Sequence, residues 1–346
     1  MEQFRILLSK SIEKYHMKTQ NFNKKPTVLF CKKTELPSLN DFALEAGIHF
    51  DEYNCNFNKS YCFNLKKNYF FSKGIIDDSL YRILMDKIPL MQLYIGPTNH
   101  AYFDLYMKRH IIYENLDKIS KVYYRLSDSK SQRIFLKIIT RLCVPYQYHY
   151  DYETHDEEQY FPVELSFSPQ EVFLDAGVCD GKNILEFVKK TKYKHIYGIE
   201  ADENNFQLSK QNLTGIENLE LLQYALHSKN NEKISFWSSK LTGKKGNAHV
   251  QPNGDVCVTT ICGDSLDYPP TFIKMDIEGS EKDALIGLRK YIKTESPKLA
   301  ICIYHFQEDF WEIPLLIHQL NPHYNIIIRN YEHMDSLLET VCYAYI

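Results

Sequence analysis

Acidic residues follow an apolar strand pattern in TFIKMDIEGSE, residues 271–281, and this is where the chain is best equipped for chemistry. Phe272 to Met275 read as a buried strand, and Asp276, Glu278 and Glu281 come immediately before the helical run DALIGLRKYI. In an open α/β sheet, ligands bind at the carboxyl ends of the strands. A strand, a tight turn at Gly279 and a capping box between Ser280 and Asp283 account for part of the pattern. They do not account for Asp276 and Glu278, because carboxylates at a buried strand end need partners or a ligand. Asp276 is the first candidate for a general base, with Glu278 beside it. His305, which ends the strand pattern LAICIYH, is the second. Asp276, Glu278 and Glu281 together also make a candidate set for a divalent cation such as Mg.

Two further strand ends carry candidate ligand contacts. EVFLDAG runs into DAGVCDG, where Gly177 and Gly181 let a ligand approach the backbone and the next helix offers free N–H groups. A dinucleotide fingerprint needs G-x-G-x-x-G, and position 179 is Cys. The spacing D-x-G-x-x-x-G, from Asp175 to Gly181, instead resembles the first motif of Rossmann-like S-adenosylmethionine methyltransferases. The next strand, HIYGIEA, ends at Glu200, where a carboxylate can accept hydrogen bonds from both hydroxyls of a ribose. The plainer readings of these two features are a tight turn and a surface acid.

With DAGVCDG, GIEAD, CGDSL and FIKMDIEGSEKDAL in view, the chain resembles the FkbM family of methyltransferases. IKMDIEGSE is the most specific element, close to that family's lysine, aspartate, glutamate-glycine and glutamate pattern. The resemblance covers roughly residues 159–330 and extends back to QYFP and LSDSKSQRIFLKII. It implies that Asp175, Gly177 and Gly181 shape the methionine side of a donor pocket and that Glu200 holds the ribose. It further implies that Asp264, Asp276, Glu278 and Glu281 lie at or near the reaction centre. Val178 and Cys179 depart from the small and polar residues common in the family. The implied activity is O-methylation of a sugar or another hydroxyl-bearing metabolite in glycan biosynthesis, with S-adenosylmethionine as donor. A sulfonium-bound methyl carbon is already electrophilic, so positioning and a base for the acceptor hydroxyl are what such an enzyme must add. Two alternatives stand beside this reading: an NAD(P)-dependent oxidoreductase, and a non-catalytic methyltransferase-like binding module.

The elements that position these residues alternate strand and helix from residue 171 onward, which predicts a mainly parallel sheet. The expected fold is an α/β, Rossmann-like methyltransferase domain with a seven-stranded sheet and helices on both faces. The last two strands, YNIIIRN and TVCYAYI, have no helix between them and predict an antiparallel hairpin at one end. ISFWSS and VCVTTIC flank a polar loop, 240–254, that reads as a mobile hairpin or an acceptor lid. Upstream, a smaller α/β or α+β domain is expected over 1–113, with a helical connector and acidic linker over 114–158. Helical patterns fall at 39–48, 79–88 and 100–111 and strand patterns at 26–33 and 89–96, while residues 50–73 show no clear period. In the connector, Ile134, Phe135, Ile138, Ile139 and Leu142 form a helical stripe that Ser129 or Ser131 can cap. His149, Asp151 and His155 read as part of a solvated acidic connector and only secondarily as metal ligands.

Composition excludes several classes. With 41 Lys and Arg against 44 Asp and Glu, the net charge is -3 and the basic residues are scattered, which disfavours nucleic acid as a partner. No apolar run approaches the roughly 18 residues of a transmembrane helix. Phe4, Leu7, Leu8, Ile12 and Tyr15 give the first segment amphipathic helical spacing and no signal-peptide character. Nine cysteines, an odd number with no CxxC pair, argue against a disulfide framework or structural zinc and predict a cytoplasmic location. A homo-oligomer is compatible with all of this.

Overall fold

The computed structural model describes residues 2–19, 27–30, 52–54, 68–72, 93–96, 109–143, 159–239, 249–250, 254–331 and 337–346. The chain divides into two compact units, one of residues 1–124, 132–153 and 333–336, the other of residues 125–131, 154–332 and 337–346. No helix among the described residues is long and apolar enough to cross a membrane.

The first unit opens with helix Glu2–Thr19. Phe4 and Leu8 are buried, whereas Leu7 lies off that face and is exposed. Phe4 meets the Tyr123 ring at 5.1 Å, and the Thr140 hydroxyl donates to Ser11 at 2.9 Å. Four strands follow: Thr27–Phe30 (β1), Glu52–Asn54 (β2), Asn68–Ser72 (β3) and Leu93–Gly96 (β4). They pair in the order β2-β1-β3-β4, all parallel. Two of these strands fall within 50–73, where the sequence has no legible period. The helices expected at 39–48 and 79–88, and the acidic stretch with His149, Asp151 and His155, lie outside the described residues. The apolar stripe of helix Ser129–Cys143 is buried as its spacing predicts. Its cap differs from expectation: the Asp128 carboxylate accepts the Ser131 N–H at 2.6 Å and the Ser131 hydroxyl at 2.9 Å. An aspartate one residue earlier does what was expected of the serines.

The second unit is built on Glu171–Ala176 (β5), Tyr193–Ile199 (β6), Leu219–Leu222 (β7), Ala225–Leu226 (β8), Lys233–Trp237 (β9), His249–Val250 (β10), Val256–Ile261 (β11), Phe272–Met275 (β12), Lys298–Cys302 (β13), Asn325–Asn330 (β14) and Thr340–Tyr345 (β15). The seven-stranded sheet runs β14-β15-β13-β12-β5-β6-β7, with β15 antiparallel to both of its neighbours and the rest parallel. The mainly parallel sheet and the terminal hairpin therefore stand as the sequence predicts. LELLQYAL does not form one strand: its first half is the edge strand β7, and Ala225–Leu226 leaves to join a second sheet, β10-β9-β11-β8. The helix after β12 is likewise broken, into Glu281–Gly287 and Arg289–Thr294. Arg329 on β14 draws residues 125–131 onto this unit, pairing with Asp128 at 3.3 Å while also holding Glu164 at 2.6 Å.

The core gathers where the strands are buried at every residue, on β5 and β12. Phe173 and Phe272 occupy paired register positions on β5 and β12, so their rings project from the same face and stack at 4.8 Å. Phe187, from helix Lys182–Lys190, packs on Phe173 at 4.4 Å, and Phe161 and Phe167 complete the cluster. Because Phe173 is fully enclosed, Phe173→Ala is expected to cost about 3–5 kcal/mol. Denaturant unfolding monitored by circular dichroism measures this, and a loss below about 1 kcal/mol would contradict the cluster's role.

Candidate active site

After β5 the chain continues to β6 on one side, and it later returns to β12 on the other, so the carboxyl ends of β5 and β12 flank the sheet's topological switch point. Their register sets Met275 against Ala176, which brings the backbone of Asp276 onto Gly177. A Cβ at Gly177 would lie 1.9 Å from the Asp276 carbonyl oxygen, and its φ of +79° is left-handed, so only glycine fits. Beneath this junction Lys274 and Asp175 form a wholly buried pair, with Nζ 3.0 Å from Oδ1. Lys274 also donates to the Gly177 carbonyl at 2.9 Å and stands 5.2 Å from the centre of the Tyr160 ring. Burial opposes the ammonium, but the Asp175 and Asp276 carboxylates outweigh it and raise the lysine pKa further.

On the β5 side the turn runs through Cys179 and Gly181, both with positive φ, before helix Lys182–Lys190. Glu200, buried at the end of β6, accepts the Cys179 N–H at 2.8 Å through one oxygen and the Asp202 N–H at 2.9 Å through the other. Burial pushes its pKa up, and the two N–H donors hold it back. Asp175, Gly177, Gly181 and Glu200 are thus gathered around one loop, with Asp175 turned down onto Lys274. Asp264 is turned elsewhere: its oxygens accept the N–H groups of Lys290 and Tyr291 at 2.9 and 3.1 Å, at the start of helix Arg289–Thr294.

At the other end, Asp276 accepts a hydrogen bond from the Tyr160 hydroxyl on one oxygen and from the Tyr304 hydroxyl on the other, each at 3.1 Å. Burial raises its pKa, but Lys274, His305 and the two phenols more than reverse this and hold it below the usual range. His305 sits among three carboxylates. Nδ1 is 3.1 Å from Glu281, while Nε2 is 3.4 Å from Asp276 and 3.6 Å from Glu278. Burial disfavours the imidazolium, yet Glu281, then Asp276 and Glu278, push its pKa up to about 10. Glu278 has a left-handed φ of +54°. Burial lifts its carboxyl to about 7, with His305 pulling it down and Asp276 and Glu281 pushing it up. The expected capping box is not formed: Ser280 makes no side-chain cap, and Asp283 instead faces His227 at 3.6 Å. The Glu281 carboxylate accepts the Ile277 N–H at 2.9 Å and closes the loop from the other side.

Asp276, Glu281 and His305 can each present one ligand atom, all within 4.8 Å of one another. The arrangement does not fit Mg, which takes oxygen ligands in octahedral geometry. The three acids expected to share that ion instead surround a cationic imidazole that faces a carboxylate from each ring nitrogen. Lys274, Tyr160 and Tyr304 are the site residues that sequence reasoning did not assign. Each was adjacent to a motif already noted, in IKMD, QYFP and IYH, but strand spacing holds no information about which hydroxyl reaches Asp276.

A seven-stranded sheet in this order, with a glycine turn and an acid at consecutive strand ends, defines a Rossmann-like methyltransferase domain. Residues 175–343 match the model of the methyltransferase FkbM domain. The crystal structure of methyltransferase FkbM from Methylobacillus flagellatus KT is similar in fold, at 19% identity and a TM-score of 0.63, over 99% of this chain and 98% of that one. An rRNA methylase from Streptococcus thermophilus matches at 13% identity and a TM-score of 0.35, over 51% of this chain and 87% of its own. No curated protein matches the chain.

The raised His305 pKa has a defined sign. A histidine with a folded pKa of about 10 against 6.5 unfolded stabilises the fold fully below pH 6.5 and loses that contribution as pH rises toward 10. The stability difference between wild type and His305→Gln is expected to shrink across that window, by up to about 5 kcal/mol. Urea unfolding at several pH values tests this, and a difference independent of pH would refute the buried imidazolium.

Proposed function

We propose that the protein is an S-adenosylmethionine-dependent O-methyltransferase whose acceptor is a sugar or another hydroxyl-bearing metabolite of glycan biosynthesis. The observation that carries this reading is the juxtaposition, at the switch point, of the glycine turn after β5 with the acid-and-phenol cluster around Asp276. Glu200 suits the ribose. Each of its oxygens accepts one backbone N–H and keeps a further lone pair for a hydroxyl. Gly177 and Gly181 leave the backbone open for the methionine portion, and Asp175 supports them through Lys274. Asp264 acts at a distance, by fixing the start of a neighbouring helix. When bound, the donor supplies an electrophilic methyl group.

Of the three candidate bases, Glu278 is favoured. Asp276 has both oxygens engaged by phenols and its pKa held low, and His305 is already protonated at neutral pH. Glu278, with a pKa near 7 and a side chain 30% exposed, can accept the acceptor hydroxyl's proton at neutral pH. Asp276 then serves as the anchor that holds Tyr160, Tyr304 and the His305 charge in place. A cytoplasmic location belongs to the same reading and is supported by the buried Cys302 and Cys342 side chains, which form no disulfide.

Isothermal titration with S-adenosylhomocysteine tests the donor assignment, and Glu200→Ala is expected to weaken binding by about tenfold or more. Wild-type protein that binds no S-adenosylhomocysteine, or that binds NAD in its place, would sink the reading. For the base, turnover should rise with pH to a plateau above about 7. Glu278→Gln should lower kcat by roughly 100-fold or more and leave donor affinity unchanged.

A further inference from the structure

Phe306 immediately follows His305, and its side chain is 52% exposed, while His305 itself is nearly enclosed. A single exposed aromatic residue is ordinary on a protein surface, so its placement carries the argument. The dipeptide Glu278-Gly279 faces the dipeptide His305-Phe306 twice. Glu278 meets His305 at 3.6 Å, and Gly279 meets the Phe306 ring so closely that a Cβ on Gly279 would lie 2.2 Å from Cε2. Gly279 has a φ of +96°, so this loop both adopts a conformation suited to glycine and omits the one side chain that would displace the ring. The backbone beneath is pinned as well. The Phe306 N–H donates to the Asp309 carboxylate at 3.1 Å, and its carbonyl accepts the Asp309 N–H at 3.1 Å. Asp309 is itself buried, 3.7 Å from Lys282.

The result is a seated aromatic ring, half exposed, one residue away from each partner of the Glu278–His305 contact. Such a face suits a ring with hydroxyls at its edge and C–H groups on its flat side, because the C–H groups pack on the aromatic surface while the edge stays free for hydrogen bonding. We propose that Phe306 is the stacking platform for the acceptor, a pyranoside-like ring, and thereby determines which hydroxyl is turned toward Glu278. The inference rests on the methyltransferase reading above and adds to it a specificity-determining residue and the shape of the acceptor.

The test uses the full chain loaded with S-adenosylhomocysteine and, as probes, the methyl α-glycosides of glucose, galactose, mannose, rhamnose and fucose. Saturation-transfer NMR is expected to show magnetisation passing to the C–H protons of one ring face in at least one probe. Phe306→Ala should weaken that transfer about 2- to 10-fold, and Phe306→Trp should retain it. Because the side chain is exposed, both variants are expected to fold, and an unchanged S-adenosylhomocysteine titration verifies this. Undiminished transfer in Phe306→Ala would overturn the inference, as would the absence of transfer from every glycoside to the wild type. Those outcomes leave the donor titration intact, whereas failure of the methyltransferase reading would appear in that titration itself and remove the inference with it.

Discussion

Lys274 is an ammonium enclosed at the centre of a seven-stranded sheet, and both halves of the site hang on how its charge is compensated. Removing a charge from water costs several kcal/mol unless partners replace the lost solvation. Here the partners are Asp175, the Gly177 carbonyl and the field of Asp276. These groups belong to different tasks. Asp175 and Gly177 open the glycine turn, and Asp276 begins the acidic loop. One buried cation therefore ties the turn after β5 to the loop after β12, and the register that sets Ala176 against Met275 makes the distance short enough.

The second constraint is the excess of carboxylates. Asp276, Glu278 and Glu281 come within 3.6 Å of one imidazole ring, and a single positive charge cannot serve all three equally. Asp276 has the most help, from Lys274, His305 and two phenols, and its pKa falls. Glu281, fully buried, keeps the Ile277 N–H and the ring's Nδ1. Glu278 has the weakest compensation, and its carboxyl stays near 7. Competition for one cation thus places three carboxylates in different environments, with Asp276 held low and Glu278 pushed up, much as environment separates paired carboxylates elsewhere.

The left-handed backbone at Glu278 and Gly279 belongs to the same logic. A non-glycine residue in that region carries strain that the surroundings must offset. The Glu281 side chain, closing back onto Ile277, holds the loop in that shape, and the shape turns Glu278 toward the histidine while Gly279 receives the Phe306 ring.

Much of this was readable without coordinates. Mostly apolar runs at β5, β6 and β12, the glycines after β5 and the acids at Glu200 and Asp276 mark strand ends by pattern, because a parallel strand buried on both faces is predominantly apolar and glycines and acids cluster where it stops. The final hairpin was readable for a similar reason, since two strand patterns without a helix between them have no room for a crossover. The division of LELLQYAL between two sheets was not, because its periodicity is continuous and only pairing partners separate its halves. Nor were the broken helix after β12, the capping by Asp128 or the parallel strands within 50–73. The roles within the site were the least legible. Tyr160 reaches Asp276 across 116 positions of sequence, and Asp264 turns to a helix start rather than to the other acids. Sequence determined which residue types stand at the strand ends, since burial and chain direction are local demands. Tertiary structure decided how strongly each acid is compensated and that Phe306 is left half exposed beside them, because electrostatic compensation and burial depend on distances in space that spacing along the chain does not encode.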